Sequence, residues 1–118
     1  MALFVITILA LITVALTDLE QSSGVSFSLD VNSMRAFYAA ESGAQVAMNR
    51  IFPPDTGGGS CVSPTVTFTA KGLNGCRASI ACSVVTVDSI SYYTLRSTGA
   101  CGSGLDLAER LIEVRARQ

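Results

Sequence analysis

From Met1 to Thr17 the chain is continuously apolar, with no charged residue and with three threonines as its only polar side chains. A helix of that length spans about 26 Å, slightly less than the ~30 Å hydrocarbon core of a bilayer. A secretory signal peptide has a basic segment before its apolar core and a small-residue cleavage site after it. Here nothing basic precedes the apolar run, and Asp18 and Glu20 follow it. The segment is therefore interpreted as a plain membrane anchor or as a stem that also packs against other helices.

Helical periodicity continues after this apolar segment. Apolar side chains recur at spacings of three and four along residues 30–52, which predicts one amphipathic face. That predicted stripe consists of Met34, Phe37, Tyr38, Ala44, Met48 and Ile51. Five alanines of this segment are expected to keep the stem slim, so that other helices can approach closely. These alanines are Ala36, Ala39, Ala40, Ala44 and Ala47.

The ends and the middle of this stem are also marked in the sequence. Pro53-Pro54 ends the helix, because proline lacks the backbone donor that a helix requires. Unbroken helix over residues 1–52 would be about 78 Å long. Gln21–Ser28 contains Gly24 and several serines, which weaken helices. This stretch is either a melted point or an ordinary polar helical segment.

The remainder predicts a small β-sheet domain. Residues 53–60 form a linker rich in proline and glycine, and residues 61–118 contain alternating, β-branched segments. A tight turn is predicted at Asp88-Ser89. The predicted strands are Thr65–Ala70, Ala78–Val87, Ile90–Ser97 and Arg110–Ala116. The fold class is α+β, with a long N-terminal stem helix and a small antiparallel sheet packed on its C-terminal half.

Four cysteines lie in the C-terminal half, and they predict two disulfides in an oxidising compartment. A zinc site would require close pairs such as C-x2-C, which are missing from the sequence. A head of about 60 residues buries little apolar area, so such cross-links would add needed stability. Three connectivities are possible. The favoured one pairs Cys61 with Cys76 and Cys82 with Cys101, and a Cys76–Cys101 pair follows instead if the hairpin at Ile90 keeps its register that far.

Composition argues against several classes of function. The net charge is −1 and no basic cluster is present, so nucleic acid is not an expected partner. Histidine is absent, which removes the commonest general base and metal ligand. The glycines at 57–59 are not followed by lysine, unlike a phosphate-binding loop. We therefore expect no enzymatic activity, no catalytic residue, no metal and no cofactor.

The apolar N-terminus, the alanine-rich helix and the cysteine-containing sheet together resemble the type IV pilin and pseudopilin superfamily. Met34–Pro54, MRAFYAAESGAQVAMNRIFPP, is most similar to the MshP-type minor pilins of the mannose-sensitive haemagglutinin (MSHA) pilus. In that group an R-A-F-x-A-A-x-S-G-A motif precedes an apolar-Pro end, as Arg35–Ala44 and Ile51-Phe52-Pro53 do here. The spaced cysteines and a predicted turn at Ser97–Cys101 before the last strand also fit this group.

The resemblance implies a structural subunit of a pilus filament. Its partners would be other pilin subunits, a prepilin peptidase and an assembly platform. It would reside in the inner membrane before assembly and in an extracellular fimbrium afterwards, with its head in the periplasm or outside the cell. Met1 would be the processed and methylated N-terminal residue, unless the numbering starts away from the cleavage site. The expected assembly helix comprises Met1, Ala2, Leu3, Phe4, Val5, Ile6, Ile8, Leu9, Ala10, Leu11 and Ile12.

One departure from the family bears on the type of subunit. Most pilins carry Glu at the fifth mature position, where it pairs with a neighbour's N-terminal amine, whereas this chain has Val5. An unpaired buried charge is costly, so a chain without this acid is expected to be a minor or tip-proximal subunit supporting pilus assembly, adhesion or motility. A major pilin and a membrane-anchored periplasmic interaction domain are the alternatives. Glu41 is either solvated or paired with Arg35 or Arg50 of the same or a neighbouring subunit.

Overall fold

The computed structural model of the protein describes residues 2–55, 57 and 59–118. One long helix precedes a four-stranded antiparallel sheet, which is the α+β arrangement predicted from the sequence. The molecule measures 87 × 29 × 18 Å, because the helix alone is about 75 Å long. The elements are α1 (Ala2–Ile51), β1 (Thr65–Thr67), β2 (Arg77–Val87), β3 (Ile90–Cys101), a 3-10 helix (Gly104–Asp106) and β4 (Ala108–Arg117).

Helix α1 passes through Gln21–Ser28 without interruption. Of the two interpretations of this segment, the structure shows the ordinary helical one, and the melted point is wrong. The Ser26 hydroxyl donates to the Ser22 carbonyl oxygen at 3.0 Å, so this serine is satisfied within the helix. Nothing lies within 4 Å of a Cβ added at Gly24, so this glycine is not required by packing within the chain.

The sheet has the strand order β1-β2-β3-β4, and each neighbouring pair is antiparallel. Strands β2 and β3 form a hairpin whose Val87 and Ile90 are opposite each other. Asp88 and Ser89 between them both have positive φ, 50° and 65°, as a two-residue type I′ turn requires. The predicted tight turn is thus confirmed.

The strand boundaries differ from the prediction by one or two residues in β2 and β4, and by more in β1 and β3. Strand β1 is only three residues long. Strand β3 continues to Cys101, past its predicted end at Ser97, so the turn predicted at Ser97–Cys101 is wrong. The C-terminal segment is a strand, as its alternation indicated, with Ile112 and Val114 partly covered and their neighbours exposed.

The sheet packs on the C-terminal half of α1 through a face of small helical residues. Every buried residue of the helix lies on this face, namely Ala36, Ala39, Ala40, Gly43, Ala44, Ala47 and Ile51. The prediction that the alanines let other helices approach is therefore wrong, because the protein's own sheet covers them. Their small side chains allow the sheet backbone to lie close to the helix instead.

Larger side chains close the core where α1 ends. Ile51 packs there with Ile80 and Leu95. Phe52 contacts Tyr93 edge to face, with ring centroids 5.6 Å apart, a geometry that aromatic pairs favour.

The predicted apolar stripe of the helix divides into two parts. Ala44, Met48 and Ile51 contribute to the core beneath the sheet. Met34, Phe37 and Tyr38 are exposed, so the prediction of one common face is wrong for them. The alanine face meets the sheet, because at these positions small side chains leave room for the strand backbone, whereas large ones would keep it away.

The two disulfides connect Cys61 with Cys82 and Cys76 with Cys101. The favoured Cys61–Cys76 and Cys82–Cys101 pairing is therefore wrong. The β2–β3 register places Arg77 opposite Ala100, so Cys76 and Cys101 are the next pair along the ladder, with Cα atoms 4.3 Å apart. That spacing is typical of a non-hydrogen-bonded antiparallel pair.

The Cys61–Cys82 disulfide results from the path of the segment that leads into β1. The Ile80 amide donates to the Pro64 carbonyl oxygen at 3.0 Å, so residues 61–64 run beside β2. This antiparallel approach brings Cys61 to Cys82. Register between strands, rather than proximity in sequence, thus determines both pairings.

The chain between the helix and the sheet includes the predicted linker, of which Thr56 and Gly58 lie outside the described residues. The Ser60 amide donates to the Arg50 carbonyl oxygen at 3.2 Å. This contact satisfies one of the carbonyl groups that a helix leaves unpaired at its end. The linker therefore returns to the end of the helix before the chain enters the sheet.

Candidate assembly surface

The first half of α1 extends away from the sheet as a bare stem, here defined as residues 2–27. All of these residues are exposed, and the first partly covered side chain of the helix is Ser28. The helix is long and apolar enough to cross a membrane, and none of its most apolar 18-residue window is buried. The stem therefore presents apolar surface that the described residues of the chain leave uncovered.

Along residues 2–16, apolar side chains lie on every side of the helix. Their exposed fractions range from 41% at Ile8 to 80% at Leu3. A helix that is apolar all round is normally buried all round, in a core, in lipid or in a bundle of helices. The large exposed side chains here are Leu3, Phe4, Val5, Ile6, Ile8, Leu9, Leu11, Ile12, Val14 and Leu16.

This exposed surface includes every predicted assembly residue that the structure describes. Ala2 and Ala10 are exposed between the larger residues, where their small side chains would permit close helix packing. Met1, with its predicted processing and methylation, lies outside the described residues.

The threonines of the stem satisfy their own hydroxyl groups. The Thr7, Thr13 and Thr17 hydroxyls each donate to the carbonyl oxygen three residues earlier, at 2.8 Å. A polar group without a partner is costly in hydrocarbon, and these local bonds remove that cost. The threonine side chains therefore do not oppose burial of the stem. The sequence interpretation missed this role, although hydroxyl bonding to the preceding turn is common in helices.

The first charges mark the end of the uncharged stretch. Asp18 and Glu20 are both exposed on α1, two and four residues after Leu16. If the preceding residues enter a bilayer, these carboxylates lie at its surface, as the sequence interpretation expected.

Arg35, a predicted inter-subunit residue, forms its hydrogen bonds within its own chain. Its Nε donates to the Gly72 carbonyl oxygen and its Nη2 to the Asn74 carbonyl oxygen, both at 2.7 Å. Its Nη1 donates to Asn32 Oδ1 at 3.2 Å. The structure thus assigns Arg35 to holding the loop before β2 against the helix. It does not bring Arg35 together with Glu41.

Glu41 and Arg50 are both exposed on α1. Within the described part of the chain, neither takes part in an ion pair. Glu41 lies at a groove between the helix and β4 that is otherwise lined mainly by apolar side chains, including Phe37, Met48 and Ile112. Pairing of Glu41 or Arg50 with a neighbouring subunit stays a prediction.

Two polar contacts attach the last part of the sheet to the helix. Asn32 Nδ2 donates to the Asp106 carbonyl oxygen at 2.9 Å, and Arg110 Nε donates to the Ser33 hydroxyl at 2.8 Å. Together with the Arg35 contacts, they hold the side of the head nearest the stem. The stem therefore leaves the head along a direction fixed by several contacts.

The outer face of the sheet carries a small ionic cluster centred on Glu113. Arg96 Nε approaches one carboxylate oxygen at 2.9 Å and Arg115 Nη2 approaches the other at 2.8 Å. Hydrogen bonds from Arg96 and then Arg115 lower the pKa of Glu113 below its ordinary value. This cluster is an ordinary surface network, since both arginine side chains are largely exposed.

Among the described residues, no group of three or more histidine, cysteine or acidic side chains is placed to hold a metal. Comparison with known proteins places the chain in no group: no family model matches it, and neither a curated protein nor a solved structure shows significant similarity.

Proposed function

We propose that the protein is a structural subunit of a type IV pilus-like filament, and that it assembles through its N-terminal helix. One observation carries the proposal: residues 2–27 project from the head as an exposed helix, and up to Thr17 they are uncharged and apolar except for three threonines. Burial of apolar surface is worth ~25 cal/mol per Å2, so a stem of this kind is strongly driven to find an apolar environment.

A pairwise contact would not suffice for this stem. Large apolar side chains occur on all sides of it, whereas a single helix partner covers only one side. Lipid can cover all sides, and so can a bundle of several stems. The proposal uses both environments in turn: the inner membrane first, and then a filament in which neighbouring stems replace the lipid.

The head packs on a part of the helix that is separate from the stem. Its sheet covers the alanine face that begins at Ala36, so the head does not compete for the surface of residues 2–27. The disulfides suit a head that folds in the periplasm or outside the cell. We place the mature subunit in an extracellular fimbrium.

Within such a filament, we propose a minor or tip-proximal position of the MSHA type. This proposal rests on the resemblance of Met34–Pro54 to MshP-type minor pilins and on the lack of any acidic residue from Met1 to Thr17, the apolar segment in which most pilins carry Glu. A subunit at the tip has no subunit above it whose amine would need that carboxylate. Such a subunit would be present in few copies, and it would interact with the prepilin peptidase and the assembly platform on its way to the filament.

The test is quantitative mass spectrometry of filaments sheared from the surface of the cells that produce this chain. We expect the chain in the sheared fraction, at substoichiometric amount relative to the main filament protein. The matched pair of variants is Leu9→Arg in the stem and Leu105→Arg in the exposed 3-10 helix of the head. Leu9→Arg should remove the chain from the sheared fraction, and Leu105→Arg should leave it there.

Two results would argue against the proposal. Retention of the unmodified chain in the membrane fraction after complete shearing would indicate a simple membrane-anchored domain. An amount equal to the bulk of the filament would indicate a major subunit.

A further inference from the structure

Strand β2 has a free edge along its second half. Strand β1 pairs only with Arg77–Ser79, at the start of β2. Beyond that, the Ile80 amide donates to the Pro64 carbonyl oxygen and the Cys82 amide donates to the Ser63 hydroxyl. No described residue pairs with the outer edge of Ser83–Val87 after this point.

Alternation along the ladder identifies the unpaired backbone groups. Val87 and Ile90 flank the two-residue turn and form a hydrogen-bonded pair. The backbone groups of the odd-numbered residues of β2 therefore form their hydrogen bonds with β3. The backbone N–H and C=O groups of the even-numbered residues face the other edge, as the hydrogen bonds of the Ile80 and Cys82 amides show. The backbone groups of Val84 and Thr86 therefore face outward with no partner among the described residues.

Apolar side chains accompany this edge. Val85 and Val87 are 63% and 53% exposed, and their cross-strand partners Tyr92 and Ile90 are 43% and 40% exposed. These four side chains form a patch on the sheet face turned away from the helix. Along β3, the core around Ile51 and Phe52 extends toward the turn no further than Tyr93, so the end of the hairpin projects past the helix.

The other edge of the sheet, formed by β4, differs from the β2 edge because it is protected against pairing with another chain. Edge strands usually carry charges that prevent pairing with another chain. The β4 edge follows this rule, with Glu109, Arg110, Glu113, Arg115 and Arg117. Asp88, in the turn, is the only charged residue between Arg77 and Arg96. The β2 edge thus lacks the usual protection where its backbone is unpaired.

We propose that Ser83–Val87 pairs with the same segment of a second copy of this chain, edge to edge and antiparallel, about a two-fold axis at Val85. Val84 of each copy would then face Thr86 of the other, and each pair would exchange two backbone hydrogen bonds. All the outward groups of Val84 and Thr86 would be satisfied at once. The Val85 and Val87 side chains of both copies would form one continuous apolar surface.

A second copy is favoured over an unrelated strand by this self-complementarity. The copy offers the same free edge, of the same length and without charge, and a two-fold axis gives an isologous contact in which both edges are used. Antiparallel pairing directs the two helices away from each other. The contact would therefore join heads from opposing filaments or membranes and not neighbours in one stem bundle.

Cysteine cross-linking of the full-length chain in detergent tests this register. All four native cysteines are in disulfides, so an added cysteine supplies the only free thiol. In a non-hydrogen-bonded pair the two Val85 Cα atoms would be ~4.5 Å apart, within the range a disulfide needs. The two Val87 positions would be about 14 Å apart, four residues out of register.

We expect Val85→Cys to give at least about tenfold more disulfide-linked dimer than Val87→Cys, since a disulfide cannot bridge the longer distance. A mixture of Ser83→Cys and Val87→Cys chains should cross-link, because residue 83 would lie opposite residue 87 of the partner. Equal dimer yields from Val85→Cys and Val87→Cys, or no dimer from Val85→Cys, would overturn the proposal.

A second pair of variants tests the free edge itself. Thr86→Lys, added to Val85→Cys, places a charge on the free edge and should reduce the dimer yield strongly. Ser91→Lys is the matched control. Ser91 lies opposite Thr86, so its substitution removes the same hydroxyl contact. The new charge is then on β3, whose other edge is already covered by β4. Equal loss from both variants would count against edge pairing. Because this pairing does not involve the stem, its failure would leave the pilus proposal intact, and the reverse also holds.

Discussion

Gly99 of β3 lies against Ala36 of the helix so closely that a Cβ at residue 99 would overlap the Ala36 carbonyl oxygen. The same Cβ would meet the backbone nitrogen of Ala40. Sheet and helix approach each other through backbone atoms here, which requires glycine on the strand and alanine on the helix. Gly43 makes the reciprocal approach from the helix, toward Ala78 and Ser97.

Gly99→Ala is therefore expected to destabilise the head. Neither neighbouring backbone atom can move without shifting the helix, so the cost should be at least that of overpacking, ~1–3 kcal/mol. Denaturant unfolding of the full-length chain in detergent measures it. Gly24→Ala is the matched control, because its added methyl meets nothing within 4 Å and should stabilise the helix by about 0.5–1 kcal/mol. Equal effects from both substitutions would contradict the close approach.

Arg35 is expected to control the order of the loop before β2. Arg35→Met should release the carbonyl groups of Gly72 and Asn74, so hydrogen exchange in residues 71–75 should become faster. Arg50→Met removes an exposed arginine from the same helix and should leave that exchange unchanged. Unchanged exchange in Arg35→Met would show that the loop is held by other contacts.

The disulfide pairing predicts a definite peptide map. Digestion without reduction should yield one linked product that contains Cys61 with Cys82 and another that contains Cys76 with Cys101. Removing either pair with serines should lower the free energy of unfolding by about 2–4 kcal/mol. A linked product that contains Cys61 with Cys76 would contradict the strand register.

Glu113 is expected to contribute an acid-sensitive part of the stability. Its pKa is lowered in the folded protein by Arg96 and Arg115, from an ordinary value of 4.5. The ionised carboxylate therefore stabilises the fold above pH 4.5, and this contribution is lost as the pH falls through the lowered pKa. The stability difference between the unmodified chain and Glu113→Gln should be largest near neutral pH and vanish in acid. A difference independent of pH would exclude this cause.

The sequence predicted those features that depend on local chemistry. Alternation and turn residues identified the hairpin at Asp88-Ser89 and the final strand, and helical spacing with Pro53-Pro54 identified a helix that ends near residue 52. These signals involve residues close together in the chain, so they can be read without a tertiary structure.

Features that depend on distant contacts were missed. The pairing of Cys61 with Cys82 follows from how the chain before β1 aligns with β2, which neither segment specifies alone. The alanine face was assigned to neighbouring helices because small residues suit a helix or a sheet equally well. The exposed position of Phe37 likewise depends on which face the sheet covers.

In the proposed filament, other stems cover residues 2–27 once the protein leaves the membrane. A photo-cross-linking residue at Ala10, compared with one at Leu105 in the head, tests it directly in surface material after shearing. The account predicts that Ala10 cross-links to the stem of another subunit and that Leu105 forms no such stem adduct. Cross-links from Ala10 to lipid alone, with none to protein in any sheared fraction, would contradict it.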